Sequence, residues 1–222
     1  MVRFFIVIAF CLISFVSNGL SQQPTKKANA RPAPKAETKT ASSEPFEKAT
    51  VQKMAEQCVK LETEAGLIEI ALLPESAPET VRNFLNLVAV GAFDTTTFSR
   101  VVPGFVVQGG NLSTREKITP ELEKRMSRTI PDEPNTIKHE RGVVSMARSA
   151  APNSASSHFF ILVGDARHLD GTFAAFGRVM SGMDLVDNIN KMPVEGDKPT
   201  KPVRLRRATV VPCPAETKSE GN

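Results

Sequence analysis

Apolar and polar positions divide the chain into three stretches of unlike texture. Residues 4–16 are apolar throughout except for Ser14. Residues 22–56 are polar and Pro/Ala/Lys-rich, with only Phe46, Val51 and Met54 as sizeable apolar groups. From residue 57 to about 214, short apolar segments recur between turn residues. Residues 59–63 and 67–73 alternate as strands do, joined by a tight turn at Glu64-Ala65-Gly66. Val81, Phe84, Leu85 and Val88 follow at helical spacing, after a Ser76-Ala77-Pro78-Glu79 stretch that reads as a capping box, and Gly91 stops the helix. Residues 95–102 and 105–108 predict two strands around the Pro103-Gly104 turn, and Gly109-Gly110 ends the second. Residues 112–135 read as loop, with a helical turn at Pro120–Met126. Strands are predicted at 143–147, 158–163, 173–179 and 203–211. Met183, Leu185, Val186 and Ile189 predict a second helix, closed by Pro193.

Eight short strands and two helices without βαβ alternation describe an all-β barrel or sandwich, a barrel being the form that leaves no exposed strand edge. The flanking stretches set the expected organisation. Met1 to Arg3 is a basic start to the apolar run, and Gly19 and Ser21 precede a cut ahead of Gln22. Residues 1–21 therefore read as a signal peptide, with an uncleaved membrane anchor as the alternative. Residues 22–56 read as a disordered linker whose later part forms a weak helix, because so few apolar groups do not offset ordering entropy. Residues 215–222 read as a flexible tail. The expected location is secreted or periplasmic, with no membrane contact once the signal is removed.

Charge changes the picture once the chain is divided. The whole carries 28 basic and 24 acidic residues. Arg3, together with seven basic against four acidic residues in 22–57, accounts for the excess, leaving 20 of each from Cys58 onward. A neutral folded part argues against nucleic acid as a partner. His139, His158 and His168 are too scattered, with no carboxylate or cysteine at ligand spacing, to predict a metal site. Ser154, Ser156 and Ser157 beside His158 lack the Gly-x-Ser-x-Gly of a nucleophile elbow and read as loop. Cys11 leaves with the signal, so Cys58 and Cys213 remain as one pair, which in an exported chain invites a disulfide.

The run Phe93-Asp94-Thr95-Thr96-Thr97-Phe98-Ser99-Arg100-Val101-Val102-Pro103-Gly104-Phe105-Val106-Val107-Gln108-Gly109-Gly110 resembles the cyclophilin signature nearly position for position. Ala77-Pro78-Glu79-Thr80-Val81-Arg82-Asn83-Phe84, Gly142-Val143-Val144-Ser145-Met146-Ala147-Arg148, Ser157-His158-Phe159-Phe160-Ile161 and Leu169-Asp170-Gly171 agree with the same family in order and spacing. Met146-Ala147-Arg148 and the short loops are closest to its bacterial branch. The resemblance covers roughly residues 59–212. It implies a closed eight-stranded antiparallel barrel capped by two α-helices over residues 57–214, acting as a monomer without cofactor. The implied activity is peptidyl-prolyl cis-trans isomerisation of proline-containing polypeptides, in exported proteins during folding. A peptide-binding or chaperone module of the same fold with little turnover is the alternative.

By the same resemblance Arg100 is the catalytic arginine. Phe105, Val106, Phe160 and Leu169 line the proline pocket, with Phe173 at its far side. Gln108, Ala147, Arg148 and His158 line the groove for the flanking substrate backbone. The family's first and last strands are neighbours, which implies a Cys58–Cys213 disulfide. Ser99 stands where the family usually has histidine, His158 where glutamine is common, His168 where tryptophan is frequent, and Phe173 where histidine or tyrosine is. The missing tryptophan implies weaker binding of cyclosporin-type inhibitors. Taken singly, Arg100 is by type a surface ion-pair partner and Phe160 plain core. Their joint spacing is what assigns them roles.

Overall fold

The computed structural model describes residues 44–214. The expected signal peptide (1–21), residues 22–43 of the expected linker and the expected tail (215–222) lie outside the described residues. Eight strands form one antiparallel sheet. They are β1 (Gln57–Thr63), β2 (Gly66–Leu72), β3 (Arg100–Val102), β4 (Val106–Gly109), β5 (Val143–Met146), β6 (Phe159–Leu162), β7 (Ala175–Ser181) and, after a small hairpin of β8 (Val194–Glu195) and β9 (Lys198–Pro199), β10 (Leu205–Pro212). The order is β10-β1-β2-β7-β5-β6-β4-β3. The edge strands β3 and β10 do not pair along their lengths. One bridge, Thr97 with Arg204, joins them, through Phe98 N–H to the Val203 carbonyl (3.0 Å) and Leu205 N–H to the Thr96 carbonyl (2.8 Å). The expected closed barrel is thus a curled sheet with a one-bridge seam. The strand expected at 95–102 is shorter for the same reason. Thr95 turns at φ 62°, and Thr96 and Thr97 cross to the seam before β3 begins.

Four α-helices are present among the described residues: α1 (Val51–Ala55), α2 (Pro78–Ala89), α3 (Pro120–Met126) and α4 (Met183–Asn190). α2 sends Phe84 into the curl, where its ring lies 5.3 Å from Phe93, 5.3 Å from Phe159 and 4.9 Å from Phe176, all four fully buried. Offset and edge contacts of this kind add to the burial of large apolar surface. The expected capping box does not form. Pro78 opens the helix, so Ala77 is the cap and offers no side-chain acceptor. The free N–H groups of Glu79 and Thr80 instead donate to the two carboxylate oxygens of Glu133, at 2.9 and 2.7 Å.

Residues 44–56, expected as the end of a disordered linker, pack on the sheet domain and move its start ahead of residue 57. Met54 is fully buried, and Phe46 and Val51 lie against the core. Arg82 of α2 donates to the carbonyls of Phe46 (3.1 Å) and Ala49 (2.5 Å), and Arg125 of α3 pairs with Glu44 at 2.6 Å. Three apolar groups suffice because polar anchors supply the remaining contacts. The expected weak helix is confined to α1, since Gln57 already belongs to β1. Next to this segment a disulfide joins Cys58 of β1 to Cys213, just past β10.

Candidate active site

In β4, β5 and β6 both faces are apolar apart from Gln108 and Ser145. Val107, Val144, Phe159 and Ile161 point into the curl, while Val106, Val143, Phe160 and Leu162 form a second cluster on the outer face. An antiparallel strand with one solvated face would alternate with polar residues. Here the outer face is instead the floor of a concavity. Register sets its polar edge. Arg100 is opposite Gln108, Gln108 opposite Phe160, and Phe160 opposite Ser145, so these residues form one row across four strands. The row needs Gly110, whose φ of +79° and close approach to the Ser157 carbonyl leave no room for a side chain.

The concavity encloses about 170 Å³. Phe105, Val106, Phe160, Leu169 and Phe173 make its apolar walls, and Arg100, Gln108, Ala147 and Arg148 its rim. Phe173 meets Phe160 edge-on, with ring centres 5.9 Å apart, and the Arg148 guanidinium lies 5.1 Å above the Phe173 ring. The structure thus brings nine of the ten residues anticipated from the sequence into one cavity. The tenth, His158, lies in an adjoining groove of about 710 Å³ that shares Arg100, Gln108, Ala147 and Arg148 with the cavity. Burial pushes the His158 imidazole below its ordinary value. Ser154, Ser156 and Ser157, which sequence reasoning assigned to a loop, line that groove together with Asn111 and Ser113. Their small polar types carry no spacing signal.

Two supports hold the walls. Asn190 at the end of α4 accepts from Gly104 N–H (2.7 Å) and donates to the carbonyls of Val102 (2.9 Å) and Val106 (3.1 Å), pinning the β3–β4 turn that carries Phe105. His139 is fully buried between Asp170 and Ser145. Its backbone N–H donates to Asp170 Oδ1 (2.8 Å). With Nδ1 protonated the ring donates to the same oxygen (3.2 Å) and accepts the Ser145 hydroxyl at Nε2 (2.9 Å). The connectivity is that of a hydrolase triad, but the Ser145 side chain is fully buried, so the chain of bonds serves to fix the segment bearing Leu169. The His139 backbone N–H is the main cause holding the Asp170 carboxyl below the usual carboxylate range, and burial pushes the His139 imidazole down.

The family model for cyclophilin type peptidyl-prolyl cis-trans isomerase/CLD matches residues 58–210. The chain belongs to the cyclophilin family. This cyclophilin is 37% identical over 164 residues to peptidyl-prolyl cis-trans isomerase A of Dickeya dadantii, covering 69% of the chain and 84% of that relative. It is 38% identical over 158 residues to peptidyl-prolyl cis-trans isomerase cypE of Dictyostelium discoideum, covering 70% and 99%. A Cryptosporidium parvum cyclophilin type isomerase, solved in the presence of the dipeptide Ala-Pro, superposes with a TM-score of 0.61 at 26% identity, covering 69% of this chain and 98% of that one. The cyclophilin is accordingly an enzyme, a peptidyl-prolyl cis-trans isomerase. At its positions of departure from the family pattern, His168 lies 5.5 Å from Phe105, ring centre to ring centre, and Phe173 closes the cavity against Phe160.

Proposed function

We propose that the isomerase seats a substrate proline on Phe160 in the 170 Å³ cavity and drives rotation with Arg100. The observation that carries this reading is the row Arg100–Gln108–Phe160, which sets a guanidinium at the rim of an apolar cup. Rotation about an X-Pro amide meets a barrier of about 18–20 kcal/mol from resonance, and takes on the order of 10–100 s uncatalysed. Reaching milliseconds requires roughly 10⁴-fold, about 5–6 kcal/mol of preferential transition-state binding. In the twisted state the imide nitrogen regains its lone pair. A guanidinium donates to that lone pair without any change of protonation, while the aromatic walls grip the ring and the carbonyl side turns. Gln108, Ala147, Arg148 and His158 serve the flanking peptide, an assignment supported by their place in the cavity rim and the groove. The Ala-Pro dipeptide in the Cryptosporidium structure is consistent with that class of substrate.

A protease-coupled assay on an Ala-Pro peptide tests the assignment. Arg100→Ala is expected to lower kcat/KM at least tenfold; a variant as fast as the parent removes the arginine from the mechanism. We also infer that the clients are exported proteins, handled by a single chain without nucleic acid or membrane. The support is the basic start and apolar run of residues 1–16, the neutral balance from Cys58 onward, and a disulfide of the kind that persists in oxidising compartments. Protein recovered outside the cytoplasm should begin at Gln22; recovery only from the cytoplasm with Met1 intact contradicts export.

A further inference from the structure

Arg100 is held from behind by a residue 97 positions further along the chain. Its Nε and Nη2 both reach Oδ2 of Asp197, at 3.0 and 2.8 Å. Asp197 lies in the turn between β8 and β9, after Gly196 at φ +61°. The hairpin is closed at its base by Thr200 N–H donating to the Pro193 carbonyl at 3.0 Å. The Asp197 carbonyl itself accepts from Val101 N–H at 2.8 Å, so the turn is tied to β3 by backbone one residue beyond the arginine. The carboxylate is therefore placed by two independent attachments, and Arg100 is its one ion-pair partner among the described residues.

A guanidinium presents five N–H groups in a fixed fork. With the Nε and Nη2 edge turned to Asp197, Nη1 has no protein partner among the described residues, and Arg100 lines both the cavity and the groove. An arginine without such a tether samples many rotamers, and the fraction aimed at the substrate scales the rate directly.

We propose that Asp197 is a positioning residue of this isomerase, fixing the Arg100 fork so that its free edge donates to the rotating imide. The inference rests on the role of Arg100 proposed above. Both side chains are exposed, at 41% and 53%, which puts the pair in the range where geometry matters more than raw Coulomb energy and where salt weakens it. The carboxylate lowers the net charge near the substrate, yet donation from the free edge is a short-range contact that survives this. The effect falls on kcat rather than KM, because the contact forms only as the imide twists.

The experiment compares the parent with Asp197→Asn, Arg100→Ala and the double variant on an X-Pro peptide, with kcat and KM separated, at low salt and at 1 M NaCl. Asn keeps the shape of the side chain and weakens the tether, its neutral amide oxygen being a poorer acceptor than the carboxylate; Asp197→Ala, assayed beside it, removes the acceptor, and both leave the backbone bond to Val101 in place. Asp197→Asn is expected to lower kcat about fivefold at low salt with KM unchanged, and the gap to the parent should narrow by at least half at 1 M, where the screening length is about 3 Å. In the Arg100→Ala background the same substitution should change nothing, since its only route to the chemistry is gone. A fivefold loss that persists in that background, a gap indifferent to salt, or a rise in kcat would overturn the positioning role. Loss in Arg100→Ala beside parental kcat in Asp197→Ala would overturn it alone. Full activity in Arg100→Ala would overturn the assignment of Arg100 and this one with it.

Discussion

His158 sits in a groove whose other charged lining groups are Arg100 and Arg148, with no carboxylate among the lining residues. Burial lowers its proton affinity, so the fold favours the neutral ring and the charged form appears only below the ordinary imidazole value of about 6.5. The sign follows. The unfolded chain binds this proton more readily, so stability tied to His158 is intact above that value and declines as pH falls past it. The same protonation adds a third positive charge to the groove. KM for a peptide with lysine before the X-Pro unit should therefore rise as pH falls below the ordinary imidazole value, and KM for a glutamate peptide should fall. A His158→Gln variant with the same divergence would locate the titration elsewhere. Residues of the cavity are legible in the sequence through the resemblance of their segments to the cyclophilin signature, with which the shared strand face of Val106 and Gln108 agrees. Asp197 is not, because nothing local couples a turn carboxylate to a strand arginine 97 residues earlier.

At the scale of elements, α4 and the β3–β4 turn behave as one piece. Periodicity at Met183, Val186 and Ile189 located the helix, but its last residue carries the consequence: three hydrogen bonds from Asn190 hold Val102, Gly104 and Val106. Asn190→Ala would leave buried backbone groups unpaired, at a cost of about 2 kcal/mol, or roughly 4–8 °C in Tm. It would also free Phe105 at the cavity wall, so KM should rise in parallel. Thermal unfolding and kinetics on one preparation check both, and a lower Tm with unchanged KM would assign Asn190 to stability only. The cap of α2 shows the limit of local reading. Ser76 and Glu79 have the spacing of a capping box, yet Pro78 sets the helix start so that the cap falls on Ala77, and the acceptor comes from Glu133 in a distant loop. A box motif fixes a helix start only when its first residue is the one that adopts the cap position.

For the whole molecule, the eight strands of the sheet are legible in the pattern, whereas the β8–β9 hairpin and the form of the closure are not. The seam depends on Thr97 meeting Arg204, a contact that strand propensity does not encode. The start of the domain is hidden for a related reason, since the composition of residues 44–56 resembles a spacer, while the buried Met54, Phe46 and Val51 against the core and the Arg82 and Arg125 contacts show that it docks. Both ends of the sheet domain converge at β1 and β10, where the Cys58–Cys213 bond spans a separation of 155 residues. In a chain-entropy account a loop of that length contributes up to about 5 kcal/mol by restricting the unfolded chain. The concavity is built on β4, β5 and β6, several strands away in sheet order, and it owes nothing to the bond. Removing the disulfide as Cys58→Ala with Cys213→Ser should therefore lower the urea midpoint by an amount worth several kcal/mol, while kcat/KM per folded molecule stays within twofold of the parent at 25 °C. A loss of activity at temperatures where the variant is still folded would mean that the β1–β10 junction is coupled to the active face through the seam, since β3, which carries Arg100, is the strand that the Thr97–Arg204 bridge adjoins.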